Sequence, residues 1–388
     1  MALSTVFLVG LAMFSDLGIK PAIIRDPRGN EPTFLNTAWT IQAIRGAALF
    51  VIGCLLAYPI SLIYGQPILF PLLATLSTTA LIAGFASVQM ATAERDVDLK
   101  TVTIVQLGGQ AAAIIVMVAL AYASRSLWSL AIGNIVASMV TLALGHILLK
   151  GHIHRFQLEA EAAKSLVNFG KWIFLATIVT FLGGEGLRAI QAGFLTTAEF
   201  GILAIAYTIA TIPIELSLRL SASIGLPALS EAYRKDPEKL REVLHKFRKR
   251  LLTVSLLLVS AVAVTSEPLI ELLYDHRYHD AGPLVVAIAL SGAITLISSG
   301  YGNALLAIGK SKDYLGIMTF SAVARVVGTI VGFAQSGIFG LFIGIGLANI
   351  LILVVCQLRG RPIRIFDPVV DILAIAYIAL LALGLWAT

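Results

Sequence analysis

Charge is scarce in this chain. Only 13% of its 388 residues are Asp, Glu, Lys or Arg, about half the share of a soluble domain. Cysteine is scarcer: Cys54 and Cys356 lie far apart, each inside an apolar run. That excludes a disulfide framework, and no Cys and His fall at metal-ligand spacing. No cofactor, metal or nucleic-acid partner is expected. The sequence also lacks a G-x-S-x-G turn, a phosphate-binding P-loop and an H-E-x-x-H motif, so no catalytic constellation stands out and an enzyme is not expected. What fills the chain is apolar: 58% of the residues are hydrophobic and the mean hydropathy is +0.91. A secreted disulfide scaffold, a disordered chain and an ordinary cytosolic enzyme are all excluded.

A bilayer core of about 30 Å takes roughly 20 apolar residues per helical crossing. Twelve stretches meet that length: 1–24, 35–64, 68–92, 99–123, 127–148, 166–187, 198–228, 251–274, 281–308, 314–334, 338–357 and 369–386. They are too long and too uniformly apolar to alternate as barrel strands. The sequence therefore predicts an all-α polytopic membrane protein. Its basic residues set an orientation. Alternate loops at 25–34, 92–100, 149–171, 226–250, 309–314 and 357–367 carry 21 Lys and Arg, against 3 in the intervening loops. The rich set belongs on the cytoplasmic side. Position 1 then lies outside, at the head of a span with no basic flank and no signal peptide.

Two polar stretches divide the chain. Residues 150–165 read as a cytoplasmic linker between an N-terminal lobe of five helices (1–149) and a C-terminal lobe of six (166–358), with an additional C-terminal helix in 359–388. Residues 234–250 hold eight basic and three acidic side chains. There Asp236-Pro237-Glu238 marks a helix start. Leu240, Val243, Leu244 and Phe247 recur at i, i+3, i+4 and i+7, which predicts an amphipathic helix on the inner leaflet. Gly340 and Gly344 make a small-xxx-small pair, expected as a packing face. Pro21 and Pro213 each remove a helix hydrogen bond and permit a kink.

An ionisable group inside a span costs several kcal/mol unless it faces a cavity or a partner. Arg45 lies ten residues from Leu35, Arg325 eleven from Tyr314 and Arg219 nine from Ala228, which at 1.5 Å per residue puts all three roughly 14–17 Å deep. A guanidinium is permanently charged and its fork of donors suits phosphate, so Arg45, Arg219 and Arg325 are the candidate substrate-binding residues of a cationic cavity for an anionic passenger. The competing readings are ion pairs: Arg219 with Glu215 one turn away, or Arg45 and Arg325 with Asp16 or Glu215 across the bundle. Lys20 is expected to pair with Asp16 or to snorkel. Asp16 and Glu215 are the candidates for coupling-ion exchange. Glu185 and Arg188 near the outer face are a candidate gate, with interfacial anchoring as the alternative for Arg188. His152 and His154 are expected to be inert.

These residues carry a resemblance. Phe14-Ser15-Asp16-Leu17-Gly18-Ile19 with Ala22-Ile23-Ile24-Arg25 resembles the second helix of bacterial oligosaccharide flippases, and so does Leu35-Asn36-Thr37-Ala38-Trp39 leading to Arg45-Gly46. Ala198-Glu199-Phe200-Gly201 through Tyr207 to Pro213, and Pro227-Ala228-Leu229-Ser230, are similar to the family's eighth helix. Leu273 through Gly282 resembles the start of its tenth, and Asn303 to Lys310 also fits. The family sits in the multidrug/oligosaccharidyl-lipid/polysaccharide (MOP) exporter superfamily. The likeness covers nearly the whole chain, with the family's first helix missing and Leu187 where members often carry an acid. It implies two helical lobes around a central cleft, worked by alternating access. It implies a polyprenyl-pyrophosphate-linked glycan as passenger, moved to the outer leaflet for O-antigen, capsule or exopolysaccharide assembly. Membrane lipids and the polysaccharide polymerase machinery are the implied partners, and the bacterial plasma membrane the location. A multidrug cation antiporter of the same superfamily and a membrane-embedded glycosyl ligase are the alternative functions. The missing helix leads to an expectation: the upstream genomic sequence continues the reading frame through one more apolar span, and a stop codon immediately upstream would contradict it.

Overall fold

Apolar stretches of this length become helices because lipid offers the backbone no partner, and only a helix satisfies its own N–H and C=O groups within one segment. The computed structural model describes residues 18–63, 65–96, 98–124, 126, 128–149, 154–360 and 367–387. The described residues are helical nearly throughout, and the expected spans from position 35 onward each have their helix. The expected span at 1–24 lies mostly outside the described residues. The helices group into two compact units, one ending at Ile178 and the other starting at Val179.

The first unit contains α1 (Ile19–Arg25), α2 (Pro32–Ile63), α3 (Leu69–Gly84), α4 (Gln89–Arg95), α5 (Leu99–Ser124), α6 (Trp128–Leu148) and most of α7 (Ala160–Phe181). Helices α3 and α4 are together apolar enough to cross a membrane and are bent by 59° at the break between them. Leu69, Leu72, Leu73 and Leu76 of α3 are packed with Ala57 and Ala131. Further along, α2 and α3 cross where Gly46 meets Gly84. A Cβ on Gly46 would stand 2.6 Å from the Gly84 Cα, so two small residues permit a backbone contact that larger ones would push apart.

The first unit runs into α7. The end of the linker is zipped to α2. Thr37 and Thr40 donate to helix carbonyls one turn back (Thr33 and Asn36). Each also accepts a linker N–H at 3.0 Å, from Glu159 and Gln157 respectively. Asn36 takes the Arg155 N–H at 3.1 Å and donates to Gln157 at 2.9 Å. Arg28 reaches Glu31 at 2.7 Å and Glu159 at 2.8 Å, and these carboxylates, Glu31 first, hold its guanidinium above its already high ordinary pKa. His154, expected to be inert, bonds Ser87 at 3.0 Å and stacks on Trp39.

The second unit begins in the last turn of α7 and continues through a π-turn (Leu182–Gly186), α8 (Leu187–Phe194) and α9 (Thr197–Leu220). A capping box starts α9, with the Thr196 N–H donating to Glu199 at 2.8 Å and Glu199 N–H donating to the Thr196 hydroxyl at 3.3 Å. Pro213 lies inside α9. A second π-turn (Ser221–Gly225) leads to α10 (Leu226–Lys235), then α11 (Leu240–Val264), α12 (Ser266–Leu273), α13 (Ala281–Ala307), α14 (Ser311–Gly360) and α15 (Pro368–Ala387). The most buried of these is α13, against which α9, α11 and α14 pack. Helix α14 breaks at Ser336 and Gly337, where Gly337 takes φ +61°, a left-handed conformation that glycine adopts without strain. Its two limbs fold back with Gly328 on Gly344 and Gly332 on Gly340. Gly340 and Gly344 are thus the packing face expected of them.

The stretch predicted to lie as a separate helix on the inner leaflet is instead the first half of α11, continuous with a span. Its apolar stripe turns into the protein: Leu240, Leu244 and Leu252 are buried, and so is Arg248, 1% exposed. Arg248 is tolerated there because both of its terminal nitrogens find acceptors and its guanidinium lies over an aromatic ring. It pairs with Asp371 of α15, donates to the Ile297 carbonyl at 2.8 Å and the Tyr301 hydroxyl at 3.0 Å, and lies over the Tyr301 ring. Asp371 in turn accepts from Tyr301 at 2.6 Å and Gln357 at 2.7 Å. Removing one member of such a pair strands the other charge, at a typical cost of about 3–5 kcal/mol. Asp371→Ala should therefore lower unfolding stability in detergent by that amount, and Arg248→Met with Asp371→Leu should recover most of it. A loss in the single variant of only about 0–1 kcal/mol, the range of an exposed pair, would contradict this role.

Candidate functional site

Polar residues recur at a spacing of four along two helices of the second unit. Thr295, Ser299 and Asn303 lie on one stripe of α13, and Ser321 and Arg325 on the first limb of α14. That spacing puts each set on a single helix face. With Ser221 they line a cavity of about 310 Å³ within the second unit. Both π-turns adjoin it, through Gly183 and through Ser221 and Ala222. Such one-turn π-bulges occur often at functional sites. Asn303 donates to the Ser221 carbonyl at 2.8 Å and to its hydroxyl at 2.9 Å, which ties α13 to the second π-turn.

Among the described residues Arg325 is the one charged side chain lining this cavity. Its Nε donates to the Asn349 side-chain oxygen at 2.9 Å, and its Nη2 to the Thr295 hydroxyl at 3.3 Å. Asn349 is itself aimed by a 2.8 Å bond to the Ser291 carbonyl. Among the described residues no carboxylate forms an ion pair with Arg325. Two neutral acceptors orient the guanidinium without neutralising it, and three of its five N–H groups are left for a ligand. A bound anion would supply the missing charge.

The first unit has a cavity of its own, with two basic residues in its lining. About 270 Å³ is lined by Lys20, Ile23, Gln42, Arg45, Ser87 and Met90 among others. Arg45 is half-buried there. Gln42 donates to the carbonyls of Ala83, Gly84 and Ala86 at the end of α3, at 2.9–3.3 Å. The expected pairing of Lys20 with Asp16 falls outside the described residues, and among those described Lys20 has another partner. Lys20 bonds Glu94 of α4 at 2.7 Å, because the bend between α3 and α4 brings that carboxylate, 1% exposed, to α1. Asp16 lies outside the described residues.

The remaining candidates occupy separate places in the second unit. A third cavity of about 450 Å³ is lined by Arg188, Tyr207, Thr211 and Glu215. Arg188 lies 3.4 Å from Glu185 across the join between π-turn and α8 and 5.5 Å from the centre of the Tyr207 ring. The two gate candidates are thus an ion pair. Glu215 and Arg219 are both exposed, and no ion pair joins them among the described residues. Within this unit Arg219 does not share the Arg325 cavity. Sequence reasoning missed Arg248 and Asp371, although Arg248 falls on the stripe Leu240–Leu244–Arg248–Leu252, where an apolar residue is due.

Comparison with known proteins decides the family. A family model described as polysaccharide biosynthesis protein matches residues 1–283. The chain belongs to the polysaccharide biosynthesis protein family. A relative from Bacillus subtilis (strain 168), the teichuronic acid biosynthesis protein TuaB, is 21% identical over 303 residues, covering 76% of this chain and 61% of the relative. The chain thus spans about three-fifths of that relative's length. A MATE protein in its straight conformation superposes with a TM-score of 0.80 at 15% identity, covering 93% of this chain and 85% of the other. A MOP superfamily transporter from Pyrococcus furiosus gives 0.77 at 16% with the same coverage. The Vibrio cholerae MATE transporter VcmN in its bent form gives 0.76 at 17%, over 98% and 87% of the two chains. This polysaccharide biosynthesis protein therefore has the MOP transporter fold. It is a multi-pass protein of the bacterial inner membrane.

Proposed function

We propose that this protein moves a polyprenyl-pyrophosphate-linked oligosaccharide from the cytoplasmic to the outer leaflet for surface polysaccharide assembly, by alternating access. The observation that carries the reading is Arg325, set in a hydroxyl- and amide-lined cavity with neutral partners only. Arg45 in the cavity of the first unit is the second anchor for the pyrophosphate, and Arg219 a third contact outside both cavities. The name of the Bacillus subtilis relative, teichuronic acid biosynthesis protein, supports a glycan passenger. Membrane lipids and a polysaccharide polymerase are the partners this reading implies. Two lobes, a linker at 150–165 and an accessory C-terminal helix remain the working domain plan.

The energetics suit export. A diphosphate carries roughly two negative charges, and moving each out of a cell held about 100 mV negative inside gains about 2.3 kcal/mol. The membrane potential then contributes roughly 4–5 kcal/mol to outward flipping. The arginines need only lower the barrier near the midplane. Glu215 and Asp16 are the candidates where a coupling ion is exchanged, and the Glu185–Arg188 pair is the candidate outer gate.

A multidrug cation antiporter would need acids facing its passenger, and among the described residues none lines the Arg325 cavity. In a flippase-null strain, Arg45→Ala and Arg325→Ala should each abolish surface polysaccharide export while protein level and membrane insertion stay normal. Normal export in both variants would refute the assignment.

A further inference from the structure

A groove separates α11 from α15 on the second unit. Thr253, Leu256 and Leu257 form one wall, and Val370, Leu373 and Tyr377 the other, around a volume of about 350 Å³. Its floor is rigid, because Arg248 and Asp371 lock the two helices together beneath it. One end is closed where the Tyr377 and Ser260 hydroxyls bond at 2.8 Å. At the other end stand His245 and Lys249.

The charge at that mouth is positive. Among the described residues Lys249 has no ion pair, and it is exposed. Of the nearby acids, Asp367 is taken by His245 at 3.0 Å and by Arg248 at 3.6 Å. Asp371 is buried and held by Arg248, Tyr301 and Gln357. Glu242 is bound to Lys246 at 2.5 Å.

The length discriminates between occupants. His245 to Leu257 spans twelve residues of α11, roughly 18 Å. That is about one leaflet of a core some 30 Å thick. A further transmembrane helix would need twice the length and would collide with the Tyr377–Ser260 closure. An acyl chain entering beside Lys249 needs only this depth.

We propose that the groove seats one acyl chain of an anionic phospholipid, with the lipid phosphate on the Lys249 ammonium. The site is independent of the Arg325 cavity and of the passenger proposed above. The lipid belongs to the leaflet at which Lys249 lies, and it fills the gap between α15 and the bundle.

The test uses the purified full chain and native mass spectrometry with phosphatidylglycerol or phosphatidylcholine added. Phosphatidylglycerol should be retained about fivefold more than phosphatidylcholine, the preference expected of one lysine near a lipid surface. Lys249→Glu should erase that preference. Lys246→Glu, which alters an exposed lysine of the same helix outside the groove, should keep it. Leu373→Trp should fill the groove and lower retention of both lipids, with the protein still monodisperse. Equal retention of the two lipids by the unaltered chain would overturn the proposal. So would equal loss in the Lys246 and Lys249 variants, undiminished retention in Leu373→Trp, or complete displacement of phosphatidylglycerol by an equimolar polyprenyl phosphate.

Discussion

A guanidinium cannot shed its charge inside a membrane span, so the surrounding protein must answer it. Two guanidinium groups of the second unit, those of Arg248 and Arg325, are answered in opposite ways. Arg248 meets Asp371, a tyrosine hydroxyl, a backbone carbonyl and an aromatic face, and is consumed by structure. Arg325 meets an asparagine oxygen and a threonine hydroxyl and keeps its charge. Hydrogen bonds to a charged group contribute about 1.5–3 kcal/mol each, whereas desolvating an ion costs several kcal/mol. Two such bonds leave three N–H groups of Arg325 open to water or an anion in the cavity. That difference separates a scaffold charge from one available for work.

Helix α13 presents Ile297 and Tyr301 to Arg248, and Thr295, Ser299 and Asn303 to the cavity. One helix thereby serves both. The hairpin of α14 depends on glycines at its crossing, and the close approach there aligns the limb bearing Arg325 with the limb bearing Asn349. The π-turns at Leu182–Gly186 and Ser221–Gly225 interrupt the regular helix repeat where they border the cavity.

Much of this architecture is legible from residue order. Uniform apolar runs fix helices and their approximate ends, because lipid leaves no other backbone solution. Counting residues places Arg325 deep in its span, and the spacing of Gly340 and Gly344 marks their packing role. Other features are hidden because a single sequence does not show which helices meet. The acid nearest Lys20 in sequence is Asp16, while the bent α3–α4 pair supplies Glu94. The many charges in the first half of α11 suggest a surface helix. The deciding residue is Arg248, whose place on the apolar stripe marks burial, and whose partner lies 123 positions away. Similarly, the polarity of the linker gives no sign that Asn36, Thr37 and Thr40 hydrogen-bond its end.

The proposed transport of an anion depends on Arg325 retaining a charge that no carboxylate among the described residues neutralises. Calorimetric titration of the purified protein with inorganic pyrophosphate tests this directly, comparing the unaltered chain with Arg325→Gln. Saturable binding weakened about tenfold or more in the variant is the predicted result, the loss expected when one charge-assisted hydrogen bond is removed. Identical affinity in the two proteins would contradict it.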